Sequence, residues 1–409
     1  MHRAKAIGAG LRAVRRQRGV SLRELAHETG VSPGYLSMVE NGKRLLDSAV
    51  LIDVIAEALR VSPADIVSLQ VVPRDPRTAG AHALIPALRL ALMERPAERG
   101  AKAPVPSAQA LQIRVAKANE SYQASAYDVL AAELPTLLSD LRSAADACHG
   151  DERRRVLELL VGAYHPACVL LLKYLGYPDL AYIAVNRAAE VIAELEDQSY
   201  AALSDFFAVH VLLAAGSARQ ALAQAAAAAN TMRPQLAGGG ALTALLGELH
   251  LISATAVTRD TARSGDARGH DAASHLAEAE RLAHLTGETR AWHLNFGPVN
   301  IAVHRMSLNA ALGRHAAAVR AADALRPEAI TAFGRRMAYH VDLGRALAHL
   351  RGREGVATRE LLTAERIAPQ RLREDALVRE CVGFLLERSM PAHTLRDLRG
   401  LAHRVGVPH

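Results

Sequence analysis

Apolar residues in this chain recur every third or fourth position, and nowhere do they keep the strict alternation of a half-buried strand. Ile7, Leu11 and Val14 set that spacing at the start; Leu22, Leu25 and Ala26, then Leu36 and Val39, then Leu51, Ile52, Ile55 and Leu59 repeat it. Such a period places each set on one face of a helix. Alanine-rich runs such as ALAQAAAAAN (221–230) strengthen the reading, because alanine is the best helix former. Aromatic residues make up only 4% of the chain, so its cores must come from closely approaching helices rather than from large rings. The expected fold class is all-α. At 409 residues the chain exceeds one small core, and two to four domains are expected.

Residues 1–70 read as five short helices, the last beginning at Pro63, and none is long enough to persist alone. Ser21 and Ser32 are suited to cap the helices that follow them, and Gly30 to end the preceding helix in a left-handed conformation. Residues 71–107 are rich in proline, glycine and charge and read as a linker. One amphipathic piece, HALIPALRLALMER (82–95), interrupts it and is expected to fold onto its own chain. From 108 to 409, helices of about 12–20 residues alternate with short turns. Gly176, Gly216, Gly269, Gly313 and Gly352 stand at turn-like positions about 40 residues apart, with the polar stretch RDTARSGDARGHD (259–271) read as an insert. A period of that size implies stacked helical hairpins, six or seven of them, since one hairpin cannot bury both its faces.

The net charge of +7 is uneven. Residues 1–18 carry Arg3, Lys5, Arg12, Arg15, Arg16 and Arg18 with no acid, which suits a polyanionic partner. Cys148, Cys168 and Cys381 are far apart, without a C-x-x-C, and read as reduced thiols. Arginines interrupt any signal-like apolar segment. The best apolar run, ACVLLLKYLG (167–176), is broken by Lys173, so a cytoplasmic protein without a membrane partner is expected. No H-E-x-x-H motif occurs, and Gly238-Gly239-Gly240 lacks the Gly-Lys-Ser/Thr ending of a phosphate loop. His165 and Cys168 alone are too few for zinc. No metal, cofactor or catalytic set is expected, and the chain does not read as an enzyme.

The segment VSLRELAHETG followed by VSPGYLSMVENGKR gives helix, tight glycine turn, helix. From Ile7 to Val67 the chain resembles the Xre/phage-repressor family, a five-helix lambda-repressor-like helix-turn-helix fold. The marks are LRAVRRQRGVSLRELAHETGVSPGYLSMVENGKR and the trailing LIDVIAEALRVSPADI. The resemblance implies that the second motif helix enters the major groove of double-stranded DNA. Ser32, Pro33, Gly34, Tyr35, Ser37 and Met38 then occupy the reading positions; Ser37 and Tyr35 can hydrogen-bond, while Pro33 and Met38 can meet thymine methyls. Ser21, Arg23, Asn41, Lys43 and Arg44 fall where the family meets phosphate, and Asn41-Gly42 serves equally as a helix stop. Arg15 and Glu40 match an ion pair internal to the fold. No Gln, Asn or Arg stands at the first reading positions, so DNA shape or bridging water carries more of the specificity.

The carboxy-terminal region resembles the tetratricopeptide repeat, most closely in GVATRELLTAERIAP, where Ala357, Leu361, Ala364 and Pro369 keep the small–large–small–proline spacing. The joint arrangement is similar to the RRNPP group and to actinobacterial Xre-plus-repeat regulators. It implies a transcriptional regulator, a homodimer on a palindromic operator, tuned by a peptide, small-molecule or protein effector. The densest polar–aromatic cluster, TRAWHLNFGPVNIAVHR, nominates Arg290, Trp292, Asn295, Asn300, His304 and Arg305 for the effector, with a core role for Trp292 as the alternative. A different class of function, an adaptor whose repeats hold a partner protein, also fits.

Overall fold

The computed structural model describes residues 6–46, 48–67, 76–94, 106–236, 240–260 and 265–407. Among them every regular element is helical, and the one pairing of extended backbone is an isolated antiparallel bridge between Thr289 and Phe296.

The five expected amino-terminal helices are α1 (Ala6–Gln17), α2 (Leu22–Thr29), α3 (Pro33–Glu40), α4 (Ala49–Leu59) and α5 (Pro63–Val67). Their stripes converge as the periodicity requires. Ile7, Leu11, Leu25, Leu36, Ile55 and Leu59 are all within 2% of full burial, in a core separate from that of the repeats. Helices this short hold their places through these side chains and through their caps.

After residues 68–75, which lie outside the described residues, comes α6 (Pro76–Met93). Ala81, Ile85, Leu88 and Leu92 bury one of its faces in the main repeat core, mostly against α8 (Tyr127–Ala147), which is paired with α7 (Ala108–Gln123). The amphipathic piece in the linker is thus part of the second body.

The next helix is α9 (Gly150–Gly162), continued through a wide turn at Ala163–Cys168 into α10 (Val169–Tyr174) and backed by α11 (Pro178–Leu195). Hairpins follow: α12 (Gln198–Ala214) with α13 (Ala218–Met232), α14 (Ala241–Arg259) with α15 (Gly265–Thr286), α16 (Pro298–Ala311) with α17 (His315–Asp323), and α18 (Phe333–Ala348) with α19 (Glu354–Ile367). The short α20 (Pro369–Glu374) precedes a last pair, α21 (Ala376–Leu386) and α22 (Ala392–Arg404). Gly176, Gly216, Gly313 and Gly352 sit in left-handed turns within these hairpins. Gly269 does not: residues 265–271 of the expected polar insert form the opening turns of α15, so helix replaces loop there.

Gly150–Tyr174 and Ala241–Arg259 are long and apolar enough to cross a membrane by length and composition. In this fold 78% of each apolar window is buried, as expected of core helices.

The stack does not remain open. The Gln370 carboxamide on α20 accepts the Tyr127 and Asp128 amides at 2.8 and 3.1 Å and donates to Asp128 Oδ1 at 2.6 Å, tying the last hairpins to the first. The amino-terminal bundle docks on the outside of this body. Asp53 on α4 accepts two hydrogen bonds from Arg259 at the end of α14, at 2.6 and 2.9 Å. Arg219 reaches Glu57 at 3.3 Å, Pro63 lies against Gly216, and Leu377 packs on the small core.

Candidate nucleic-acid interface and an interior chamber

The helix-turn-helix geometry follows from local chemistry. The Ser21 hydroxyl accepts the Glu24 amide at 3.2 Å while the Glu24 carboxylate accepts the Ser21 amide at 2.7 Å, a complete capping box. That exchange holds the Glu24 carboxyl below its ordinary range. Gly30 ends α2 at φ 68°, a left-handed conformation open to glycine at little cost. The Ser32 hydroxyl then accepts the Tyr35 amide at 3.2 Å and starts α3, with Pro33 in its first turn.

On the inward side of α3, the Arg15 guanidinium grips the Glu40 carboxylate through two bonds of 2.6 and 2.9 Å and also donates to the Val20 carbonyl at 2.8 Å. Glu40 is 1% exposed. The expected internal ion pair is present, and hydrogen bonding to Glu40 holds Arg15 above its usual value.

On the outward side, Ser32, Pro33, Gly34 and Met38 are exposed, Tyr35 and Ser37 are half-buried, and Arg23, Lys43 and Arg44 stand in solvent. The contacts that dock the bundle run through α1, α4 and α5, so this face is left uncovered. Two residues are engaged more than the sequence suggests. The Tyr35 hydroxyl donates to the Leu45 carbonyl at 3.2 Å, with Arg44 over its ring at 5.7 Å, so the phenol braces the chain after α3. Asn41 donates to the Ser37 carbonyl at 2.8 Å and accepts from Arg12 at 2.9 Å, filling the helix-stop role. Ser21 spends both its amide and its hydroxyl in the capping box, which places the Glu24 carboxylate at that helix start. Arg12, 40% exposed beside Asn41, is an additional cation at this edge that motif matching passed over.

The effector cluster divides. Arg290 is exposed, Arg305 is exposed and paired with Glu280 at 3.0 Å, and Trp292 packs on the main core. Asn295 lines a partly open interior chamber of about 120 Å³, and Asn300 and His304 bond to two of its lining residues, Glu248 and Arg335. It is lined by Tyr122 from α7, Tyr174 from α10, His210 from α12, Glu248 from α14, Arg335 from α18 and Arg371 from α20. The i,i+4 pairing of Asn300 and His304 was legible; their partners, spread over the chain, were not. The Asn300 amide donates to Glu248 Oε1 at 2.8 Å, while Arg335 meets His304 at 2.7 Å and Glu248 Oε2 at 3.4 Å. Burial pushes Glu248 up to about 7 against the pull of Arg335 and Asn300. Burial together with nearby cations holds His210 and His304 well below their ordinary value, so both are neutral.

Comparison with known proteins agrees with the amino-terminal geometry. Residues 11–66 match the family model described as helix-turn-helix. No curated protein matches the chain. Among solved structures, the crystal structure of Bacillus thuringiensis PlcR in complex with the peptide PapR7 and DNA is similar at 12% identity. The match covers 69% of this chain and 95% of that one with a TM-score of 0.29, too distant to place any element. The amino-terminal part of this chain, residues 11–66, is a helix-turn-helix domain of the Xre type.

Proposed function

We propose that the chain reads a specific operator with the outer face of α3 and that the helical-repeat region, residues 108–409 with α6 packed on it, senses an effector and joins two copies. The division at 1–70, 71–107 and 108–409 is kept as the functional one, except that α6 travels with the repeats. Ser32, Pro33, Gly34, Ser37 and Met38 meet base edges, with Tyr35 behind them. Arg23, Lys43, Arg44 and Asn41 grip the flanking phosphates, with Ser21 at the margin. The observation that carries this reading is the combination of a capped, internally braced α3 with an uncovered outer face. Two copies would set their reading helices on palindromic half-sites about 34–36 Å apart.

Coupling runs through the docked bundle. Burial raises the Asp53 carboxyl above its ordinary range even though Arg259 pulls it down, so the ion pair does not fully offset its own desolvation. An effector shifts the operator affinity only if it prefers one orientation over another.

Selection of bound sequences from a random duplex library by the full chain tests this reading. Enrichment of a two-fold-related pattern with half-sites about 10–10.5 base pairs apart is expected. Retention governed by salt alone, with no enriched sequence, would count against it.

A further inference from the structure

We propose that the interior chamber is a binding site for a compact oxyanion, a carboxylate or phosphate group, held by the guanidinium groups of Arg335 and Arg371. Its regulatory meaning rests on the sensing role proposed above, but its existence as a site does not.

Arg371 is the strongest reason. Its guanidinium lies over the Tyr174 ring, 3.9 Å from the centroid, and its donors find no protein acceptor among the described residues. Arg335 is only partly satisfied, by a neutral His304 and a long 3.4 Å contact to Glu248. Lys173 stands one layer behind, bonded to His210 at 3.0 Å, with no carboxylate partner among the described residues. Against these three cations the lining itself offers one carboxylate, Glu248, which burial raises to about 7, while Asp375 and the half-buried Asp342 act on Arg371 from behind the wall without a hydrogen bond to it.

Tyr174 registers the imbalance. Burial alone would raise its phenol, yet Arg371, Lys173 and Arg335 pull it below its ordinary value. Guanidinium forks with unused donors on a half-buried wall match a planar carboxylate or a phosphate better than any neutral group.

Size narrows the class. At about 120 Å³ the chamber falls short of the ~300–1,000 Å³ typical of small-molecule sites, so it admits an anion of a few heavy atoms rather than a peptide. Its wall includes the loop 290–297, where Trp292, His293 and Asn295 all adopt left-handed φ values of 47°, 62° and 55°. Side chains adopt that region only when surrounding contacts impose it, and such clusters mark ligand clamps and switches. The imposing contacts are the Thr289–Phe296 bridge and the seating of Phe296 over Gly247. A Cβ at Gly247 would fall 2.0 Å from the Phe296 ring, so only glycine leaves room beside Glu248.

Trp292, the only tryptophan, precedes the lining residue His293 in the same loop, packs on the main core, and supplies the signal. The full chain is titrated with inorganic phosphate and, separately, with succinate at constant ionic strength, following tryptophan fluorescence and binding heat. Saturable binding of at least one anion is expected, and which one binds identifies the chemistry. Arg371→Gln should lose about tenfold or more in that affinity. Should that variant not fold, Arg371→Lys, which keeps the charge and loses the fork, must bind measurably more weakly. No saturable binding of either anion, or equal affinity in a folded Arg371 variant, would overturn the proposal. Anion binding that leaves duplex affinity unchanged would support the site and remove its sensing role.

Discussion

Ser32, Pro33, Gly34 and Met38 remain exposed because α3 needs only Leu36 and Val39 for its packing. What fixes the helix is instead the buried carboxylate of Glu40. Arg15→Ala would strip it of its bidentate partner and leave Arg12 at 3.5 Å as a poor replacement. Chemical denaturation should show a loss of about 2–3 kcal/mol, with binding to any duplex weakened in proportion to the unfolded fraction. A change below about 0.5 kcal/mol would mean that the pair is incidental.

Glu248 carries a pH signature. Its folded value, about 7, lies above the ordinary carboxylate value of about 4.5, so the folded chain binds the extra proton. From this group stability is therefore fully present near pH 4.5, falls as pH rises to about 7, and is level above that. Arg335, Asn300, His210 and His293 face the same space, and both histidines are held neutral or lowered by burial. In Glu248→Gln the amide cannot titrate. Melting curves should then show the variant gaining on the parent as pH rises from about 4.5 to about 7, with the difference level above that, and a difference independent of pH would refute the assignment.

At the scale of elements, how well a segment could be read depended on how local its determinants are. Capping serines, the Gly30 turn and short apolar stripes lie within a few residues of what they specify, so α1 to α5 follow from sequence alone, whereas the Arg15–Glu40 pair, 25 residues apart, was legible only through the family resemblance. The hairpin turns at Gly176, Gly216, Gly313 and Gly352 were equally local. By contrast, α6 contains Pro86 among charged and proline-rich neighbours, and only its tertiary burial shows that it belongs to the repeats. The polar opening of α15 looks like a loop because helix start and surface loop share a composition.

The chamber was the least legible feature. Its residues come from helices more than two hundred positions apart, and the linear hints were the nominated Asn295–His304 cluster and Lys173 breaking an apolar run. The Phe296 seat offers a test at this scale. Gly247→Ala should destabilise by about 1–3 kcal/mol through overpacking and change Trp292 fluorescence as the 290–297 loop is displaced. An unchanged spectrum in a folded variant would show that the loop does not depend on that contact.

For the molecule as a whole, the closed stack and the docked bundle meet at Asp53 and Arg259. Arg259→Gln leaves a carboxylate 6% exposed without its cation. Hydrogen exchange in α4 and α5 should accelerate while the repeat core stays protected. Equal protection in both chains would mean that Pro63, Leu377 and the Arg219–Glu57 pair suffice to hold the bundle.

The reading face itself is tested most directly by the salt dependence of duplex binding, measured on the full chain and on the Lys43→Ala/Arg44→Ala variant. Each lost phosphate contact should lower affinity for every sequence alike and reduce the log–log salt slope by about 1, so the double variant should lose about 2. An unchanged slope and affinity would place DNA on some other surface and contradict α3 as the reading helix.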